Sequence, residues 1–305
     1  MKRVVGFGAL NVDNIYQVEN LQLEENSAKL IASQPGGSVA NTISGLAKLG
    51  IATSFVGVVA QDKYGDLLLS DFAKNKVDTK KIIRISSNFL SSGLVEAYVD
   101  KRGRRLLFVK PGINDTLSSK DIDINFLKKA LLVHFSSFVD DKQFILQSQV
   151  MQKISNFTKV SFSPGSLFVD RGLNKLKSMI KNSNILFLNR REVFKLAAKN
   201  FKQGASELVK LGPEIVVVTL GAEGCFIATK DQKFRQKTRK VKARDTTGAG
   251  DAFAAGFLFG IIQNYSLEKC AQIGNAVASF SIQRFGARAG LPNRKELASV
   301  VELPK

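Results

Sequence analysis

Ala243-Arg244-Asp245-Thr246-Thr247-Gly248-Ala249-Gly250-Asp251-Ala252-Phe253-Ala254-Ala255-Gly256-Phe257-Leu258-Phe259-Gly260 decides the reading of this 305-residue chain. Gly248 and Gly250 stand directly before a run of small and apolar residues, so a loop with exposed backbone N–H groups is predicted to feed into a buried helix. Such a helix start is an anion site, because its first N–H groups have no intrahelical acceptor and the helix dipole favours negative charge. Asp251, the first helical carboxylate, would be repelled by a bound anion, which suits a proton acceptor better than an anion ligand. Phosphoryl transfer to a hydroxyl needs both parts, one cradling the transferred group and one taking the alcohol's proton. The same residues also suit a tight turn with an aspartate complementing the dipole, and this stretch alone leaves both readings open.

Further outward, the chain supplies more glycine-bearing segments. Pro35-Gly36-Gly37-Ser38 breaks the chain before a small-residue helix over 39–49, with Asn41 in its first turn. Asn189 followed by Glu192 has the spacing of a capping box at the start of another helix. Thr219 with Gly221 and Gly224 lies between strands predicted over 215–219 and 225–228, and either approaches phosphates or forms a hairpin turn. Near the N-terminus, Gly6-Phe7-Gly8 has Asn11 where a dinucleotide fingerprint needs its third glycine, and no helix follows. What remains is a strand, predicted over 3–9, whose C-terminal end carries Asn11 and Asp13 pointing the same way.

Strands predicted at 53–59, 131–135, 159–163 and 184–188 alternate with helices near 66–75, 141–156 and 172–181, the rhythm of a doubly wound, mostly parallel α/β sheet. Two hairpins interrupt it, over about 14–34 and 90–110, the second turning at Lys101-Arg102-Gly103. They are predicted to form a small separate β-sheet, a mobile lid over a site. The longest apolar run, 252–262, falls short of the roughly 20 residues that span a bilayer. Asn11 and Asp13 interrupt the N-terminal apolar segment too early for a signal peptide, and Cys225 and Cys270 have no metal-ligand spacing. A cytoplasmic protein without a membrane partner is expected.

Forty-five Lys and Arg against 26 Asp and Glu give a formal charge of +19, densest over 230–244, where a solvated strand or hairpin is predicted. No zinc finger or RNA-recognition motif and no interleaved stacking aromatics accompany it, so the charge reads as a solubility feature or as attraction for anionic small substrates, and nucleic acid is not expected. His134 is the only histidine, which excludes histidine metal sites needing more than one, and its expected role is core packing.

Taken in order, these segments resemble the PfkB, or ribokinase-like, carbohydrate kinase family over nearly the whole chain. Gly36-Gly37 with Asn41 resembles its N-terminal signature, and Asp245-Thr-Thr-Gly-Ala-Gly-Asp251 with Ala252, Phe253, Gly256 and Phe257 its C-terminal one. Asn189 with Glu192 and Thr219 with Gly221 and Gly224 match two internal motifs. The resemblance implies one ribokinase-like domain over 1–305 that transfers the γ-phosphoryl group of ATP to a sugar or nucleoside hydroxyl. It implies Asp251 as general base, and the N–H groups of Gly248, Ala249 and Gly250 as the anion hole. Asn189, Thr219, Gly221, Gly224 and Asn275 would hold ATP, with Asn275 beside the purine, and Asn11, Asp13, Gly37 and Asn41 would hold the acceptor. Glu192 would orient Mg2+ through water. Asp245 and Thr247, with the loop at Gly286, resemble a monovalent-cation site, for K+. A homodimer through the lid is also implied.

Two departures bear on the acceptor. Ser136 and Ser137 follow the 131–135 strand where ribokinases place a sugar-binding Glu, and Ser163 stands where many relatives carry Asp. Arg102, Arg104, Arg105 and Lys110, in or beside the lid, keep open a phosphofructokinase-like enzyme that binds a sugar phosphate. A third reading is a nucleic-acid-binding protein that kept the fold and lost catalysis, against which the intact Asp251 and glycine loop argue.

Overall fold

Apolar runs bracketed by glycine, proline and polar residues become thirteen strands in the computed structural model, which describes residues 2–102 and 104–304 apart from the side chain of Arg105. They are β1 (Val4–Phe7), β2 (Asn11–Val18), β3 (Lys29–Gly36), β4 (Thr53–Ala60), β5 (Asp78–Ile85), β6 (Gly93–Asp100), β7 (Arg105–Lys110), β8 (Leu132–Ser136), β9 (Lys159–Ser163), β10 (Ile185–Asn189), β11 (Ile215–Thr219), β12 (Cys225–Ala228) and β13 (Lys233–Gln236). Between them lie α1 (Ser38–Lys48), α2 (Lys63–Lys74), α3 (Ile124–Lys128), α4 (Asp141–Ile154), α5 (Gly165–Val169), α6 (Leu173–Lys181), α7 (Arg190–Ala197), α8 (Phe201–Lys210), α9 (Ala249–Ile262), α10 (Leu267–Ser281) and α11 (Arg294–Ala298).

The main sheet runs β13-β12-β11-β10-β9-β8-β1-β4-β5, parallel from β11 to β5 and antiparallel at the β12 and β13 edge. Chain order reverses on either side of β1, between β4 and β8, and ligands bind open α/β sheets at such a switch point beyond the strand C-termini. Successive strand residues serve opposite faces. Val5, Phe7, Val133 and Phe135 join the core under α4, α6 and α8, whereas Val4 and Leu132 join the core under α1, α9 and α10. Helix α9 is apolar all round and buried from Ala252 to Gly260, as a helix wedged between α1, α10 and the sheet must be.

The two hairpins form the expected separate sheet, in the order β3-β2-β6-β7, joined through a parallel β2–β6 pair between two antiparallel ones. Gly103, in the turn expected at 101–103, lies outside the described residues, as does the side chain of Arg105.

One boundary differs from the sequence reading. Asn11 and Asp13 do not end the first strand of the main sheet; that strand stops at Phe7, and both residues open β2 of the small sheet. Gly8, Ala9 and Leu10 suffice to turn the chain, so one apolar run hides two strands. Within the basic stretch, only 233–236 is a strand, on the sheet edge. Edge strand β5 and helix α8 lie in segments for which no element was predicted.

Candidate active site

Gly248 caps α9 with φ 71°, and a Cβ there would lie 2.6 Å from that of Ala287, so the turn into the helix needs glycine. The first i to i−4 bond of α9 runs from the Ala252 N–H to the Gly248 carbonyl at 2.8 Å, which leaves the amides of Gly250 and Asp251 ahead of the helical ladder. Ala249, expected in the anion hole, donates its N–H to the Thr246 carbonyl at 3.2 Å instead, because the turn closed at Gly248 draws it there.

The Asp251 carboxylate meets the start of α1. Ser38 Oγ donates to its Oδ1 at 2.7 Å and Asn41 Nδ2 to its Oδ2 at 2.9 Å. Burial pushes its pKa up to about 6, against the opposing pull of the Asn41 and Ser38 hydrogen bonds and the Arg288 charge. The turn before α1 requires Gly37, whose φ is 93° and whose Cβ would stand 2.6 Å from the Ala9 carbonyl oxygen. Asn41 commits one N–H to Asp251 and accepts from Arg288 Nε at 2.8 Å, so an acceptor hydroxyl can use only its remaining capacity.

Asp13 lies against the same turn, where a Cβ on Gly36 would be 2.3 Å from its Oδ1. Burial raises its pKa to about 7, with Arg288 pulling down and Asp251 and Asp245 pushing up. Asn11 is buried and accepts a 3.0 Å bond from Asn114 Nδ2. Next to these lies a cavity of about 120 Å³ between the sheets, lined by Asn11, Ser38, Asn114, Ser136 and Ser137 on its polar side, with Ala9, Val109, Pro111, Phe138 and Leu167 among its apolar residues. Among the described residues, no Lys or Arg lines it.

The expected nucleotide residues lie along the C-terminal ends of β10 and β11. Asn189 Oδ1 accepts from the Glu192 N–H at 2.9 Å, and Glu192 Oε2 accepts from the Asn189 N–H at 2.8 Å, a complete capping box on α7. Burial raises the Glu192 pKa, with the Asp170 and Asp251 charges adding to the rise. Thr219 Oγ1 donates to the Leu188 carbonyl at 3.4 Å, and Gly221 and Gly224 both take positive φ in the turn after it. Glu223 in that turn binds Arg190 at 2.7 Å and Arg235 at 2.5 Å. Asn275 is buried on α10 with Nδ2 donating to the Gln236 and Lys237 carbonyls at 3.3 Å each, which ties down the chain after β13.

Asp245, Thr247 and Gly286 are brought together. Asp245 Oδ1 accepts from the Thr247 N–H and hydroxyl at 2.9 and 2.7 Å, and Oδ2 from the Gly286 N–H at 2.8 Å. Among the described residues, no group of three or more His, Cys, Asp or Glu could hold a metal. Of the cations in or beside the small sheet whose side chains are described, Arg104 is bound to Asp100 and Asn20, Lys110 to Glu96, and Arg102 is exposed. His134 is fully buried, hydrogen-bonded to Ser161 Oγ at 2.8 Å, with its pKa lowered to about 3 by burial. Among the described residues, no helix is long and apolar enough to cross a membrane.

Three site residues carry no motif that sequence reading picks out as functional. Ser38 is an ordinary helix-start serine. Asn114, fully buried in a 3₁₀ turn, bonds the Leu10 N–H and carbonyl, Asn11 and the Pro111 carbonyl. Arg288 is a cation set among the small residues of 286–290, and that isolation is the only signal it gives.

Residues 1–294 match the family described as pfkB family carbohydrate kinase. An uncharacterized sugar kinase of Archaeoglobus fulgidus is 38% identical over 248 residues, 81% of this chain and 98% of that protein. The nucleoside kinase of Methanocaldococcus jannaschii is 27% identical across 99% of this chain and 97% of its own. Among solved structures, the ribokinase of Thermotoga maritima superposes with a TM-score of 0.86 at 27% identity, covering 98% of this chain and 99% of that one.

Proposed function

The chain belongs to the pfkB family of carbohydrate kinases, and from that premise we propose that it moves the γ-phosphoryl group of ATP to a hydroxyl of an unphosphorylated sugar or nucleoside, with Asp251 as general base. The observation that carries this is the Asp251 carboxylate, pushed up to about 6 and held by Ser38 and Asn41 beside helix-start amides outside the hydrogen-bond ladder. A base near that value is ionised at neutral pH yet basic enough to accept a proton in the transition state. The amides of Gly248, Gly250 and Asp251 would neutralise charge on the migrating phosphoryl group. Asn189, Thr219, Gly221 and Gly224 would lie along the nucleotide, with Asn275 fixing the segment that flanks it. Magnesium, held by the triphosphate and water and oriented by Glu192, supplies charge neutralisation when bound. Asp245 and Thr247 would frame a K+ site.

Asn11, Asp13, Gly37 and Asn41 would hold the acceptor, and the small sheet would close over it as the lid of a single domain spanning 1–305, excluding water. The lid leaves Leu30, Ile31, Leu106, Leu107 and Phe108 about half exposed, a surface suited to a homodimer. Two buried, free cysteines fit a reducing cytoplasm. An unphosphorylated acceptor is favoured over a sugar phosphate because Arg104 and Lys110 already have acidic partners and no described cation lines the cavity. A screen with ATP and magnesium across pentoses, hexoses, their phosphates and nucleosides tests the reading. Turnover confined to unphosphorylated acceptors is expected; turnover confined to the phosphates would overturn the acceptor assignment, and none with any acceptor would overturn the kinase itself.

A further inference from the structure

Arg288 lies in the irregular segment between α10 and α11 and is only 6% exposed. Its guanidinium reaches three elements. Nε donates to Asn41 Oδ1 at 2.8 Å, Nη2 to the Gly36 carbonyl at 2.6 Å, and Nη1 pairs with Asp71 Oδ2 at 2.5 Å, while the group lies over the Phe72 ring at 5.4 Å. The loop carrying it is pinned to α1 by Lys48 Nζ, which donates to the Arg288 carbonyl at 3.0 Å and the Leu291 carbonyl at 3.3 Å. Burying a cation so fully gains little stability over an apolar side chain of similar volume, so stability alone does not account for an arginine at this position.

Hydrogen-bond polarity gives one. Arginine has donors only, so its Nε forces the oxygen end of the Asn41 amide towards itself. The nitrogen end then faces Asp251, where it donates to Oδ2. The second donor to that carboxylate, Ser38, follows Gly36 by two residues, and the Gly36 carbonyl is held by the same guanidinium. Both side-chain donors that aim Asp251 therefore hang on one cation.

We infer that Arg288 is a positioning residue for phosphoryl transfer: through Asn41 and the Gly36 carbonyl it fixes the two donors that orient the Asp251 carboxylate, while Asp71 anchors it. The inference rests on Asp251 being the base. Steady-state rates with ATP, magnesium and whichever of ribose, fructose and adenosine turns over fastest test it, on Arg288→Ala, Arg288→Lys, Asn41→Ala, the Arg288→Ala/Asn41→Ala pair and Asp251→Asn. Arg288→Ala is expected to lower kcat by about 10–100-fold while KM for ATP stays within about 3-fold, the pattern of a misaligned base rather than lost binding. Arg288→Lys restores only part, because one ammonium cannot serve three fixed acceptors. The double variant falls no more than about 3-fold below the worse single one, because both changes disorient the same carboxylate.

A folded Arg288→Ala enzyme with unchanged kcat, or losses that multiply in the double variant, overturns the inference. Should Arg288→Ala fail to fold, Arg288→Lys decides: reduced kcat at a near-native Tm supports the inference, and unchanged kcat overturns it. An active Asp251→Asn enzyme removes the base assignment itself, whereas an inactive one beside an Arg288→Ala enzyme of unchanged kcat removes only the role given to Arg288.

Discussion

Replacing Ser38 by alanine deletes one of the two side-chain hydrogen bonds to the Asp251 carboxylate, the 2.7 Å contact at Oδ1, and leaves the 2.9 Å bond from Asn41. A bond to the ionised form holds a carboxyl pKa down, so its loss moves the pKa up from about 6. Hydrogen bonds to charged groups contribute about 1.5–3 kcal/mol and one pKa unit is about 1.4 kcal/mol, which sets a rise of about 1–2 units. Water replaces part of the bond because Asp251 is only partly buried, so a rise of about 1 unit is the working figure. The base must be ionised, so kcat/KM falls on the acid side. For the native enzyme the limb lies near pH 6, and for Ser38→Ala near pH 7. At pH 6 the ionised fraction then drops from about one half to about one tenth, a pH-dependent loss of roughly 5-fold that is recovered by pH 8 and adds to the pH-independent loss from a carboxylate aimed by one donor fewer. The assay is a kcat/KM profile from pH 5 to 9 for both proteins. An unmoved limb, or a loss of equal size at every pH, would refute the assignment of the limb to Asp251.

Asp13 gives a stability prediction of definite sign. Its folded pKa is raised from 3.8 to about 7, so the folded state favours the protonated acid, and stability present below about pH 4 is lost as pH rises through 7. Asp13→Asn is therefore expected to raise Tm by roughly 2–5 °C at pH 8 and to leave it unchanged near pH 4, read by thermal melts at both. Asn114→Ala strips partners from the buried Leu10 backbone and from Asn11, and urea unfolding is expected to show a loss of about 2–4 kcal/mol; a loss below about 1 would mean that these hydrogen bonds do not hold the turn between the two sheets. Glu192→Gln keeps an acceptor for the Asn189 N–H but removes the charge, so Tm should hold while the magnesium concentration for half-maximal rate rises about 10-fold. An unchanged magnesium requirement would remove Glu192 from the metal site.

Sequence reading reaches the parts of this molecule whose chemistry is local. The Gly248 turn, the capping box of Asn189 and Glu192 and the strand ends are set by neighbours within four residues, so spacing exposes them. Arg288 and Asn114 work through partners 247 and 104 residues away respectively, at Asn41 and Leu10, and nothing near them in sequence marks those contacts. Strand β5, reading Asp78-Thr-Lys-Lys-Ile-Ile-Arg-Ile85, is an edge strand that carries lysine and arginine in place of apolar alternation. The sequence pattern pairs Asn11 and Asp13 on one side of an extended segment, but the three-residue exit that hands them to the second sheet is a tertiary decision. Asn275 shows the same limit. Its side chain is expected beside a purine, yet its donors serve the Gln236 and Lys237 carbonyls, a pairing set by where β13 lies against α10.

Asp251→Asn removes the proposed base and changes little else. The amide is nearly the same size, can still meet Ser38 and Asn41, and has no proton-accepting charge. Turnover is expected to fall by about 10²–10⁴-fold while the calorimetric Kd for ATP with magnesium stays within about 3-fold. Turnover within 10-fold of the native rate would contradict the account.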